Sequence, residues 1–342
     1  MTRAAPVYNV PMAKPSSVSP SIPAPLATLQ PVLVQQLLLD PTQHPRGVPH
    51  LSAASGLVRR GRRLVVVADD ELHLGLFEEA PDATTPATAG TLMRLLEGTL
   101  PADKGARKKA KPDLESLALL PTLPGCPAGA LLALGSGSTA KRNTAVLLAL
   151  DVQGAPNGRM ARLDLTPLYA PLHKQFADLN IEGALVVSGE LLLLQRGNQG
   201  NSPNACIRYD WNRIAPWLAG VQPVPPPVKH VHMMALGDIN GVPLGLTDAA
   251  ALEGGAWMFC AVAERTANSV ADGPCMGSVV GIVEANGLLG AVYVLQGAPK
   301  VEGIAVQADG DHWLVTLVTD PDDPAQAAQV LRVQVPCGER SK

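Results

Sequence analysis

Short apolar runs separated by Gly-containing turns recur along the chain, and five stretches share one pattern. Each opens on a small or acidic residue. A short apolar strand follows, then a tight turn, a second and more hydrophobic strand, a polar loop and a third apolar strand. The stretches are SGLVRRGRRLVVVADD from Ser55, ESLALLPTLPGCPAGALLALGSGS from Glu115, EGALVVSGELLLLQRGN from Glu182, DAAALEGGAWMFCAVAER from Asp248 and EGIAVQADGDHWLVTLVTD from Glu302. Their starts lie 60, 67, 66 and 54 residues apart, so the loops vary while the strands repeat. A further strand precedes each stretch: VLVQQLLLD at 32–40, TLMRLLEG at 91–98, MARLDL at 160–165, HVHMMAL at 230–236 and LLGAVYVLQ at 288–296.

Self-similarity over tens of residues, with four strands per unit and no long helix, predicts an all-β fold: a β-propeller of five four-stranded blades. The last repeat ends after its third strand, QVLRVQV at 329–335. The strand at 32–40 is therefore expected to complete that blade and close the ring, which removes an open sheet edge. A six-bladed ring with a degenerate blade in the Pro-rich 214–229 stretch, or a β-sandwich, are the competing architectures. The expected division is a flexible N-terminal arm over 1–30, one propeller over 31–336 and a tail over 337–342. The turn-rich segments 81–90, 101–112 and 221–228 read as surface loops, and the basic run Arg107, Lys108, Lys109, Lys111 as a solvated part of one.

Composition agrees and excludes several functions. The chain has 342 residues, with 32 Gly and 32 Pro, many for a helical protein. Charged residues are only 17% and the formal charge is -3, so there is no basic field to hold nucleic acid generally. Five scattered cysteines without C-x-x-C spacing read as reduced, structural thiols. Neither a secretory apolar stretch nor a run of about 18 apolar residues is seen, so a cytoplasmic protein without membrane contact is expected.

In such a ring the starts of the inner strands and the loops after the second strands meet at one mouth of the central channel. The first set gives Ser55, Glu115, Glu182, Asp248 and Glu302. The second gives Asp69 and Asp70, the GSGS run at 135–138, Arg196 and Asn198, Glu264 and Arg265, and Asp320. Converging carboxylates repel unless a cation offsets them, and hard oxygen ligands favour Ca²⁺ or Mg²⁺. Within FADLNIEGALVV, Asp178, Asn180 and Glu182 alternate and face one way if extended. The expected metal ligands are thus Asp178, Glu182, Asp248, Glu302 and Glu115. Glu182 and Glu302 are also the candidate catalytic acids, with His50 and His173 placed to reach the mouth as acid or base. Arg196, Asn198 and Arg142 are candidates for holding an anionic ligand. The scaffolding alternative is that the acids bind backbone N–H groups or pair with Arg142, Arg196 or Arg265 to hold the ring together. Repetition in nearly every blade favours scaffolding.

Other motifs carry less. His230 and His232 share a strand face but have no third ligand and belong to an outermost strand, so packed or solvated rings are expected. His312 follows a turn at the opposite mouth. The DPDD run (Asp320, Asp322, Asp323) lacks the Gly and Glu of an EF-hand loop. GSGSTAKRN (135–143) lacks Walker A spacing and is expected to join two strands. No G-x-S-x-G elbow is present.

At KPDLESLALL, LLALGSGSTAKRNTAVLLAL, DLNIEGALVVSGELLLLQRGN and KVEGIAVQADGDHWLVTLVTD the chain resembles a group of uncharacterised bacterial proteins of propeller type. More distantly, its "IEG" and "VEG" followed by a strand and a polar loop resemble the phytase-like esterase propellers. That second resemblance implies calcium-dependent or esterase-like hydrolysis with Glu182 and Glu302 at the matching positions. Ser55 departs from the pattern by replacing the acid. Two functions follow as expectations. One is a hydrolase of an ester, lactone or phosphoester with a divalent cation. The other is a non-catalytic propeller that holds a protein or small ligand on one face.

Overall fold

The computed structural model describes residues 27–80, 85, 87–200, 202–266 and 273–337. They form the five-bladed propeller that the repeat predicts. Blade 1 runs outward through strands Ala54–Arg60, Arg63–Ala68, His73–Glu78 and Thr91–Arg94. A short helix, α1 (Lys104–Ala110), leads into blade 2, which is Leu114–Leu120, Ala130–Gly135, Thr144–Leu150 and Pro156–Asp164. Blade 3 is Ile181–Val187, Glu190–Gln195, Asn204–Asp210 and His230–Met234, and blade 4 is Gly245–Ala251, Trp257–Glu264, Cys275–Val283 and Leu289–Leu295. Blade 5 takes Val301–Asp309, His312–Thr319 and Gln329–Pro336 from the end of the chain and its outermost strand, Val32–Gln36, from the beginning.

The second strands are continuously apolar because neighbouring blades cover both their faces; the alternation of a half-exposed strand is therefore missing from them. Leu64 to Val67, Leu191 to Leu194 and Met258 to Val262 are all buried. Each of the five blade-to-blade interfaces holds its own apolar cluster, so the core is a ring of five wedges around the axis. The wedge between blades 2 and 3 is enlarged by two more short helices, α2 (Thr166–His173) and α3 (Trp211–Leu218), which insert Leu168, Tyr169, Ile214 and Trp217.

Three sequence expectations change. The Pro-rich 214–229 stretch is the end of α3 and a connecting segment, so no sixth blade exists there. The arm has a nearer boundary than 30. Ala27–Leu29 pairs in parallel with Leu289–Leu295 as a fifth strand on blade 4, because the chain must pass that blade's open edge to reach blade 5; residues 1–26 lie outside the described residues, as do 338–342 of the expected tail. The segment 101–112 is not a loop throughout. It contains α1, N-capped by Asp103, whose side chain accepts from the Ala106 amide at 2.8 Å.

The entry segment therefore clasps two blades. A chain beginning at Pro31 loses the three parallel pairs on blade 4 and the packing of Leu29 on the wedge between blades 4 and 5 and should melt within a few degrees of the parent. One beginning at Leu37 also loses the four pairs of Val32–Gln36 with Gln329–Pro336 and the buried Val34. It should melt far lower or aggregate through the exposed edge. An unchanged calorimetric melting temperature for the second chain would refute closure by this strand.

Candidate functional site at the channel mouth

Each inner strand carries one extra residue against its neighbour, at the same level in every blade: Ser55, Glu115, Glu182, Thr247 and Glu302. A bulge re-aims the side chain of the extra residue, here turning all but Thr247 into the channel mouth. The residue after it packs against the next blade. A Cβ on Gly56 would stand 2.6 Å from the Leu117 nitrogen, and one on Gly183 3.0 Å from the Asp248 Cα, so these positions demand glycine.

Blade 4 breaks the pattern by one residue. Its bulge is Thr247, whose hydroxyl donates to the Val301 carbonyl at 2.9 Å. Asp248 occupies the position that is glycine in three other blades. It is buried against blade 5, where its carboxylate accepts from the Ile304 amide at 3.1 Å. Burial drives its pKa well above the carboxylate range despite that bond. Asp248 is thus placed apart from the mouth acids, and the alignment of TDA with EGA rather than DAA with EGA was the signal for it.

The mouth opens into a cavity of about 80 Å³. Glu115, Glu182 and Glu302 line it, together with Asp69, Asp113, Glu264 and Asp320. Five cations stand among them: Lys108, Lys111, Arg142, Arg196 and Lys300. Seven carboxylates against five cations leave two negative charges in excess if every group is ionised.

The half of the mouth formed by blades 3 to 5 is saturated. Arg196 reaches Glu182 at 3.3 Å, Glu264 at 2.5 Å and Glu302 at 3.6 Å, while Lys300 lies 3.6 Å from Glu302, 3.7 Å from Asp320 and 2.5 Å from Asp322. Asn180 donates to Glu182 at 2.5 Å. A guanidinium therefore occupies the place between Glu182 and Glu302 that a metal ion was expected to fill.

The half formed by blades 1 and 2 is not. Lys111, at the end of α1, pairs with Asp69 and, at 2.9 Å, with Asp113. Arg142 pairs with Asp113 at 2.8 Å, and the Ser136 hydroxyl donates to the same carboxylate at 2.6 Å. The Glu115 side chain makes no hydrogen bond or ion pair among the described residues, although carboxylate oxygens of Asp69, Asp113 and Glu115 all lie within 4.8 Å of one another. Burial, with Asp113 and Glu182 adding to it, pushes Glu115 well above the usual carboxylate range. Burial likewise raises Glu302 to about 8, Asp69 to about 7 and Asp320 to about 6.

The other candidates fall elsewhere. His50 binds the Pro324 carbonyl at 3.1 Å outside the cavity lining, and His173 is exposed at the end of α2. Asp178 accepts from Asn198 at 2.7 Å, and only Asn198 of the two lines the cavity. Arg142 and Arg196 line it, as expected, but as partners of the acids. His230 and His232 are on the outermost strand of blade 3. The basic run is α1 and its C-cap rather than a loop, and of its four residues Lys109 is exposed, as expected. Arg107 pairs with Asp70 at 2.8 Å and Lys111 enters the mouth, both drawn in by the excess acid. Missed altogether were Asp113 and Lys300, two residues before Glu115 and Glu302. Asn180 stands at the same offset from Glu182, so in three of the five blades a period of two upstream of the bulge marks a second tier of mouth residues.

A family model described as "Family of unknown function (DUF6929)" matches residues 50–335. No curated protein matches the chain. Among solved structures, Myxococcus xanthus glutaminyl cyclase aligns with TM-score 0.44 and 11% identity over 91% of this chain and 99% of its own. The PQQ-bound aldose sugar dehydrogenase of Streptomyces coelicolor gives 0.43 and 13% over 91% and 99%. Penicillium chrysogenum alpha-L-arabinanase complexed with arabinobiose gives 0.40 and 9% over 90% and 99%. These likenesses are too slight to transfer an activity. The resemblance to an uncharacterised propeller group holds, whereas that to the phytase-like esterases finds no support in them.

Two measurements probe the mouth. Arg196→Met takes the guanidinium from three buried carboxylates and leaves them Lys300 and Asn180; removing one partner of a buried pair costs about 3–5 kcal/mol. The loss in urea unfolding should be larger at pH 8 than at pH 5, where the acids take up protons. In the parent the raised carboxyls keep protons that the unfolded chain releases, so the folded state binds more protons between roughly pH 4 and 8. Stability should therefore fall as pH rises through that window, and Glu302→Gln should flatten its upper part. Thermal melts that improve from pH 5 to pH 8 would contradict both.

Proposed function

The chain belongs to the family of unknown function DUF6929, a description that carries no activity, and from its geometry we propose a divalent-cation-dependent hydrolase of an ester, lactone or phosphoester. The observation that carries this reading is the cluster of Asp69, Asp113 and Glu115 in a mouth where carboxyl groups outnumber cations seven to five. Lys111 acts there as a tethered stand-in cation, which fits a site that attracts positive charge. Its donors are all carboxylate oxygens, the chemistry of Ca²⁺ and Mg²⁺. Asp113 is already filled by Lys111, Arg142 and Ser136. Glu115 and Asp69 would therefore take the larger share of the ion, with Lys111 turned aside.

When bound, such an ion supplies polarisation of the substrate oxygen and acidification of water. Glu302, brought near neutrality by burial, holds or releases a proton on the opposite wall, and Arg196 fixes its carboxyl. Arg142 holds Asp113 in place, and Ser55, in the position an acid takes in three other blades, leaves room for substrate beside Glu115. The second reading is a non-catalytic propeller that holds a small ligand or a protein at this mouth. It is favoured by the saturation of Glu182 and Glu264, whose pairing with Arg196 ties blades together without chemistry.

Elemental analysis with thermal melts separates the two. At a hundredfold excess over its dissociation constant, a cation bound only by the folded protein should stabilise by about 2.7 kcal/mol. That gain should vanish in Glu115→Gln and Asp69→Asn, and hydrolysis of nitrophenyl esters, lactones or bis(nitrophenyl) phosphate should need the same ion. Melts of the parent that are indifferent to Ca²⁺, Mg²⁺ and chelator would end the hydrolase reading and leave the binding one.

A further inference from the structure

At the opposite end of the axis the inner strands line a second, open-ended cavity of about 230 Å³, more apolar than the mouth. Its walls come from all five blades and are aliphatic, with one guanidinium, Arg59. It begins two residues below the bulge acids, a descent of roughly 7 Å along an extended strand. Ala184, Ala249 and Ala251 keep one side wide where the other blades place Leu119 and Val306.

The charge at its rim is unbalanced. Arg59 donates to Glu79 through Nε at 2.9 Å and Nη2 at 2.6 Å and to the Gln307 side-chain oxygen through Nη1, and Arg332 donates to the same carboxylate at 2.7 Å. One carboxylate thus serves two guanidiniums, leaving one positive charge in excess where the aliphatic wall ends. Glu79 is buried, so it cannot be relieved of this by bulk solvent. An apolar cavity with a few placed polar groups is the usual form of a small-molecule site.

We infer that this chamber binds an anionic amphiphile, a carboxylate on an unbranched aliphatic chain, with the chain along the axis and the anion at Arg59. Apart from Arg59 the side chains of the wall are aliphatic and suit an alkyl chain. The excess charge selects an anion over a cation or an alcohol. This inference is independent of hydrolysis at the mouth.

Isothermal titration with decanoate tests it. The parent should bind one decanoate, at least tenfold more tightly than decyltrimethylammonium, and acetate should give no heat. Ala251→Trp, at an exposed wall position, should abolish binding with an unchanged melting temperature, and Leu119→Trp serves the same purpose if the first variant folds poorly. Arg59→Gln, which leaves Glu79 its Arg332 partner, should weaken decanoate at least tenfold. Glu115→Gln should leave it unchanged, which separates this chamber from the mouth. No saturable decanoate binding, equal binding of the cationic amphiphile, or undiminished binding in both tryptophan variants would overturn the inference; so would a chamber that takes a peptide or a second copy of the chain in place of the alkyl anion.

Discussion

Like charges forced together on the axis of a closed ring constrain the rest of this molecule. Seven carboxylates share one mouth, and in a medium poorer than water their mutual repulsion exceeds anything a few tenths of a kilocalorie of strand preference could offset. Cations must therefore be brought to them from outside the repeating sheet. Arg196 comes from the end of a second strand, Lys300 from the residue before an inner strand, and Lys111 from the end of a helix inserted between blades 1 and 2. Pairing with these groups fixes where α1 lies and how the loops of blades 3 and 5 descend, so the electrostatics of the mouth shape elements that have no part in the sheets.

The device that concentrates the charge is small. One extra residue near the start of each inner strand turns a side chain that would otherwise alternate along the pleat into one that points up the axis. The neighbour it displaces must then approach the next blade's backbone, which is why Gly56, Gly183 and Gly303 follow the bulge. Asp248 meets the same demand differently. It extends into the next blade and ends on the Ile304 amide, replacing close approach with a hydrogen bond. Ring closure, bulge and glycine are therefore one solution to fitting five sheet edges around a narrow axis.

Much of this was legible in the chain. The blade count, the outer strand preceding each repeat and closure by 32–40 all follow from spacing and from the missing last strand, signals written in the sequence order itself. The mouth was half legible. Glu115, Glu182 and Glu302 stand out because a bulge residue followed by a small one repeats. Asp113 and Lys300 did not, since they precede the strands and belong to a second tier visible only once the register is known. The basic run 107–111 was misread for a physical reason: composition says that lysines and arginines seek water, but a nearby buried cluster of carboxylates outbids the solvent. His50 and His173 were placed by proximity along the chain, and proximity along the chain does not determine which wall of a channel a loop reaches.

Scaffold and site are distinguished by which charges are already answered. A ring of identical acids is symmetric, and symmetry suits a structural collar better than a reaction centre, which needs different groups on different sides of a substrate. The collar here is complete only across blades 3 to 5, where Arg196 and Lys300 reach every acid. Across blades 1 and 2 a serine replaces the acid of blade 1, the Glu115 side chain has no partner among the described residues, and the cations are Lys111, from the end of an inserted helix, and Arg142, from the connection between the second and third strands of blade 2. The same strands then continue past mainly aliphatic side chains to Arg59, which Glu79 and Gln307 hold. Along one axis the lining side chains thus change from charged to mainly aliphatic.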